Sequence, residues 1–204
     1  LNRWRRFAGL AAALTLGVLL VGCAVRPPAP EVSDDSVRLA DWTPPAAPDA
    51  WQLNGRTSLQ LGEQGATAAL TWRQDQAAYR IDLRGALGAG SLRITGDADG
   101  VTVRTADGGR YRAESPRELV RAVTGYDLPV GFLRYWVTGQ PVPWLEGRVT
   151  LDPAGRPGMI RQGGWRVSYE AFESVDGFPL PGRVAVTRAE TSVRMVVRHW
   201  SPGG

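Results

Sequence analysis

Apolar and polar residues alternate through most of the chain after Trp51. In "AYRIDLRG", Tyr79, Ile81 and Leu83 fall on one side and Arg80, Asp82 and Arg84 on the other, the two-residue period of a half-buried strand. "WQLNGRTSLQL" groups Leu53, Gly55, Thr57, Leu59 and Leu61, and "ATAALTWRQ" groups Ala68, Leu70 and Trp72. "SLRITG", "VTVRT" and "RYRAE" follow, divided by "DADG" and "ADGG", whose Asp and Gly residues suit tight hairpins. Further along, "GRVTL", "MIRQ", "WRVSYEAF", "GRVAVT" and "SVRMVVRHW" resume the pattern. Ten or eleven antiparallel strands are predicted.

The period changes at Ser115. "SPRELVRAVTGY" offers Ser at the N-cap, Pro at the first helical position and Glu118 three residues after the cap, a capping box. Leu119, Val120 and Val123 form its apolar stripe, and Gly125 marks the stop. "GFLRYWVTG" reads as a second short helix with a bulky surface of Phe132, Leu133, Tyr135 and Trp136. Helices inserted this late among strands predict a mainly β (α+β) fold, a curved antiparallel sheet with helices on its concave side. One feature resists this scheme. Between the strands ending at Arg84 and beginning at Ser91 lies "GALGAG", where Leu87 is the one large apolar side chain, with no local cover.

The first 48 residues have a different grammar. Arg3, Arg5 and Arg6 precede a charge-free run from Phe7 to Gly22. That run is shorter than the ~20 residues of a spanning helix and suits a signal-peptide core. It ends in "LVGC", a bacterial lipobox. Small Gly22 gives a peptidase access, and Cys23 takes a diacylglycerol thioether. Cys23 is the only cysteine, so an internal disulfide is ruled out, and lipidation removes an otherwise exposed thiol. Ala24 stands where Asp would signal inner-membrane retention, which points to the outer membrane. Residues 25–48 are rich in Pro, Ala and acidic residues and read as a tether. The expected organisation is signal peptide 1–22, lipidated tether 23–48 and folded body 49–204.

Charge and composition narrow the function. The chain has no lysine: all 24 basic residues are arginine. Without the three in the leader, 21 face 20 acidic residues. No dense basic run with interleaved aromatics occurs, so a nucleic-acid partner is not expected. His199 is the one histidine and reads as structural at a strand end. No G-x-S-x-G, no metal-ligand spacing and no G-x-x-x-x-G-K-[ST] is present, so neither enzyme chemistry, nor a metal or other cofactor, nor a nucleotide energy source is expected. Glu170 and Glu173 are the best acidic pair for a glycan-processing enzyme, and their plain reading is solvated surface. Six of the eight tryptophans fall in the expected body, many for one domain. They are either packed core or the wall of a cavity for an acyl chain, and periodicity does not separate the two.

In seven blocks the chain resembles the LolB family of outer-membrane lipoprotein receptors. These are "LNGR" (53–56), "TWRQ" (71–74), "LGAGSLRITGD" (87–97), "YRAESPRELV" (111–120), "GYDLPVGFLRYWVTGQP" (125–141), "GGWRVSYEAF" (163–172) and "LPGRV" (180–184). The resemblance implies an unclosed β-barrel of about eleven strands with an α-helical lid over a hydrophobic cavity. It also implies a role: accepting lipoprotein cargo from the periplasmic carrier LolA and placing it in outer-membrane lipid, from a lipid-anchored position on the periplasmic face. Leu87 falls where the family carries an exposed apolar residue that assists insertion, although Ala86 stands where a proline often precedes it. The cavity lining expected as a group is Leu70, Trp72, Tyr79, Ile81, Leu83, Phe132, Trp136, Trp165 and Val167. The rival reading is a lipid-anchored assembly module of the envelope with a solid core and a protein partner.

Overall fold

A computed structural model describes residues 35–85, 90–124 and 128–203; Cys23 and Leu87 therefore lie outside the described residues. Within it the strands are β1 (Ser36–Arg38), β2 (Ala50–Leu61), β3 (Gln64–Asp75), β4 (Ala78–Arg84), β5 (Ser91–Asp97), β6 (Gly100–Thr105) and β7 (Arg110–Ala113). Two helices follow, α1 (Pro116–Thr124) and α2 (Val130–Trp136). Then come β8 (Gly147–Leu151), β9 (Pro157–Gln162), β10 (Trp165–Val175), β11 (Phe178–Arg188) and β12 (Thr191–Pro202). Asp35–Gly204 forms a compact unit by itself.

All twelve strands belong to one antiparallel sheet, in the order β1-β8-β9-β10-β11-β12-β2-β3-β4-β5-β6-β7. β1 and β7 are its free ends, so the barrel is unclosed, as expected. Hairpins account for every neighbour except two. β12 lies beside β2 along Thr191↔Leu61 to Pro202↔Trp51, and β1 lies beside β8. The chain leaves β7 at one free edge and resumes at β8, one strand in from the other. The helices occupy this crossover and lie on the concave side, where Trp136 of α2 and Leu119 of α1 pack against inward strand residues. Ser115 starts α1 as expected, its Oγ accepting the Glu118 N–H at 3.2 Å.

The structure differs from the alternation pattern in three places. Part of the stretch read as tether is built into the sheet. Ser36–Arg38 pairs with β8, a 3-10 turn covers Leu39–Asp41, and the Gln140 side chain donates to the Pro45 carbonyl at 2.8 Å. Three residues are too few for alternation to register. β11 starts at Phe178, although prolines at 179 and 181 argue against a strand. Its pairing with β12 begins only at Arg183, so neither proline faces a β12 acceptor, and the Trp200 indole caps the Pro181 carbonyl at 3.1 Å. Finally, β12 carries a bulge between Val197 and His199. One extra residue shifts the phase, so Val193 and Met195 are buried before it and Trp200 after it.

Burial follows the concave face. One apolar cluster takes Trp51 and Leu53 from β2, Leu70 and Trp72 from β3, Ile81 from β4, and Val149 and Ile160 from β8 and β9. Trp165, Val167, Tyr169, Leu180, Val184, Val186, Val193, Met195 and Trp200 join it from β10–β12, with Trp136 from α2. A smaller cluster sets Leu119 of α1 on Val101 and Val103 of β6.

Candidate functional site

The apolar concave face is the candidate site, and strand phase assembles it. Side chains two apart on a strand share a face, so Leu70 and Trp72, then Tyr79, Ile81 and Leu83, then Trp165 and Val167 all point inward. Helix α2 adds Phe132 and Trp136. All nine residues of the predicted lining lie in the main cluster or against it. Leu70, Trp72, Ile81, Trp136, Trp165 and Val167 are buried, while Tyr79, Leu83 and Phe132 are partly buried. Tyr79 and Ile94 also touch the smaller cluster under α1, making the apolar surface continuous from α2 to α1.

Aromatic contacts organise this surface. Trp51 packs against Trp72 at 5.2 Å and edge-on to Trp200 at 5.3 Å. Phe132 meets Trp136 edge-on at 5.5 Å, within the range of favourable aromatic pairs. Arg188 lies over the Trp165 ring, 4.3 Å from its centroid. A buried indole N–H needs an acceptor, and two buried glutamines provide one. Trp72 Nε1 donates to Gln74 Oε1 at 3.1 Å, and Trp136 Nε1 to Gln162 Oε1 at 3.2 Å. Gln162 does more. Its Oε1 also accepts the Val142 N–H, while its Nε2 donates to the Val142 and Leu145 carbonyls. One side chain thereby fastens α2 and the turn after it to β9.

Neither glutamine is evident from residue type alone. Their signal is phase: Gln74 follows Leu70 and Trp72, and Gln162 follows Ile160, at inward positions where a polar residue must have a partner. Two hydroxyls break that rule among the described residues, since Tyr79 Oη and Tyr169 Oη are buried with no hydrogen-bond partner. Burial pushes the Tyr79 hydroxyl up to about 12, with Arg134 opposing and Asp97 reinforcing. Burial also raises Tyr169 well above the usual tyrosine range. Both stay neutral at physiological pH, so the interior they face carries no tyrosinate charge.

The acid–base candidates lie elsewhere. Glu170 and Glu173 are exposed, and Glu170 sits 3.7 Å from Arg183. His199 is exposed and within 3.2 Å of Ser201 Oγ. Among the described residues, no group of three or more His, Cys, Asp or Glu is placed to hold a metal ion. The residues that converge on the concave face are almost all apolar, with Gln74 and Gln162 as its buried amides.

The family model described as outer membrane lipoprotein LolB matches residues 49–200. An outer-membrane lipoprotein LolB of Alkalilimnicola ehrlichii is 41% identical over 196 residues, covering 95% of this chain and 94% of the relative. That of Halorhodospira halophila is 39% identical, covering 98% and 97%. That of Stutzerimonas stutzeri is 35% identical, covering 92% of each. Among solved structures, a LolA superfamily protein from Nitrosomonas europaea superposes with a TM-score of 0.50 at 11% identity, covering 78% of this chain and 89% of the other. At that identity the likeness concerns the fold.

Proposed function

The chain belongs to the LolB family of outer membrane lipoproteins, and from that premise we propose that it accepts lipoproteins from a LolA-like periplasmic carrier and inserts them into the outer membrane. Its general role is lipoprotein localisation. The observation that carries the finer reading is the convergence of Leu70, Trp72, Tyr79, Ile81, Leu83, Trp165 and Val167 of the concave face with Phe132 and Trp136 of α2 in one apolar cluster. Acyl chains of the cargo enter between that face and the helices. Phe132, only partly buried on the helix side, turns aside with α2, while the sheet side holds its shape. No covalent step is involved. Cargo moves because its tails are better covered here than in the carrier, and better still in the bilayer, at ~25 cal/mol per Å² of apolar surface.

Cys23 supplies the lipid anchor that keeps the body at the periplasmic face of the outer membrane, and residues up to 34 give it reach. Leu87 meets the lipid. One leucine contributes ~1.5–3 kcal/mol on burial, enough to lower an insertion barrier without fixing the protein in place.

A fluorescent fatty-acyl probe titrated into the unanchored body tests this reading. Saturable uptake with quenching of tryptophan emission is expected, and no uptake would overturn it in favour of a solid-core assembly module. Leu87→Glu should take up probe and cargo normally while stalling delivery to vesicles; normal delivery would remove the loop from the mechanism.

A further inference from the structure

The outer face of β4–β7 carries more positive charge than it neutralises. Register puts Arg80, Asp82 and Arg84 of β4, Arg93 of β5, Arg104 of β6, and Arg110 and Arg112 of β7 on this face. Arg93 stands directly opposite Arg104, and Arg104 directly opposite Arg110. Like charges facing each other across strands destabilise a sheet, yet three are placed in line. Asp82 ends the row opposite Arg93, taking Arg93 on one oxygen and Arg80 on the other. Asp97, on the same face, lies at the far end of β5. Among the described residues no carboxylate pairs with Arg84, Arg104, Arg110 or Arg112.

Position gives the row its meaning. The β4–β5 loop is closed at its base by the Gly85 N–H on the Gly90 carbonyl, at 2.8 Å. Gly90 also abuts Ala106 of the β6–β7 turn, so both connections lie at one end of the sheet. Arg93 is two residues along from Ser91, roughly 7 Å. A depression of about 300 Å³ lies there, lined by Arg84, Ser91, Arg93, Arg104 and Thr105 among others. The uncharged positions of the face are Ser91, Thr95, Gly100 and Thr102, without the aromatic anchor that a protein interface is built around.

We propose that Arg93, Arg104 and Arg110 form a docking row for the phosphates of anionic phospholipids, laying this side of the body on the bilayer beside the β4–β5 loop. The planar guanidinium suits phosphate oxygens in pairs, and anionic headgroups relieve the crowding that the row imposes on itself. This rests on the reading that the loop carrying Leu87 meets the membrane, and it adds how the body is oriented there.

The test is flotation of the unanchored body with vesicles of phosphatidylcholine alone and with about a quarter phosphatidylglycerol. Binding should be at least roughly thirtyfold tighter to the anionic vesicles and should weaken with salt. Each arginine near an anionic surface is worth about fivefold, so the double variant Arg104→Gln, Arg110→Gln should bind about thirtyfold more weakly. Asp82→Asn should bind more tightly, a gain that a purely structural role would not produce. Melting of the double variant should be unchanged or higher, because it removes like-charge contacts. Equal binding to both vesicle types, or a double variant that floats like the parent, overturns the proposal. So does a double variant that floats normally but no longer takes cargo from the carrier, which would make this a protein-docking face. Acyl-probe uptake, measured alongside, keeps the two readings apart: its absence in the parent chain sinks the transfer mechanism and leaves the vesicle result standing.

Discussion

Gln162 shows how much one inward polar residue can hold. It joins the Trp136 indole, the Val142 backbone and the Leu145 carbonyl to β9. Gln162→Leu preserves bulk but strands those partners, each costing ~1–3 kcal/mol when buried unpaired. A loss of about 3 kcal/mol in urea unfolding is expected, with Trp136 emission reporting the loosened helix. Asp82 makes a second residue-scale case. Partial burial tends to raise its carboxyl, but hydrogen bonds from Arg93 and Arg80 and their charges outweigh this and hold it below the ordinary 3.8. A depressed native value means that its stabilisation is complete above about pH 4 and fades as pH falls through the lowered value. Asp82→Asn should therefore lose stability at pH 7 and show a smaller further loss at pH 3 than the parent. Equal acid losses in urea melts would contradict this. At this scale the sequence was most legible where residue type and phase agreed. Trp72 and Trp165 were readable as inward. Gln162 was not, because a glutamine next to Arg161 looks like surface until its partners, 17 to 26 residues away, are in place.

Whole strands were readable wherever alternation ran unbroken, as in β3 and β4, and less so where geometry interrupted it. Simple alternation in "VRMVVRHW" sends Trp200 outward. The bulge reverses it, and nothing local announces an extra residue. Its trace lies across the sheet at Gly55, where a Cβ would collide with the Val196 carbonyl oxygen. Gly55 pairs with Val197, where β12 bows. Gly55→Ala should cost at least about 2 kcal/mol, in the range of overpacking and backbone strain. Deleting Arg198 would leave Val197, His199 and Trp200 opposite Gly55, Asn54 and Leu53 in regular order. The deletion should fold, and it should recover part of the alanine's cost. Additive losses in the double variant's urea midpoint would show that bulge and glycine are unrelated.

The whole molecule manages two free edges. β7 has four residues and β1 three, and both carry arginine, as short charged strands do when they guard a sheet against pairing with another copy. β1 came from a stretch that composition assigns to a tether, since a three-residue edge has neither the length nor the alternation to declare itself. Removing residues up to Arg38 would expose β8, a longer edge of five residues that includes Val149. Concentration-dependent dimers on size exclusion are expected, and a strictly monomeric product would show that β1 is dispensable. The lid was legible in part. The capping box at Ser115 placed α1, and the late position of the helices among the strands predicted the concave side, but the crossover from β7 to β8 that they occupy is visible only once the strand order is known.

The β2–β12 seam has a further consequence, in time rather than in space. Strands that are farthest apart along the body lie side by side at mid-sheet, so neither half can finish its surface before the final strand arrives. Pairings between such distant segments form slowly, because a long loop must close before any contact rewards it. One edge of β2, already paired with β3 on the other, therefore waits without its neighbour until the last strand of the sheet has been made.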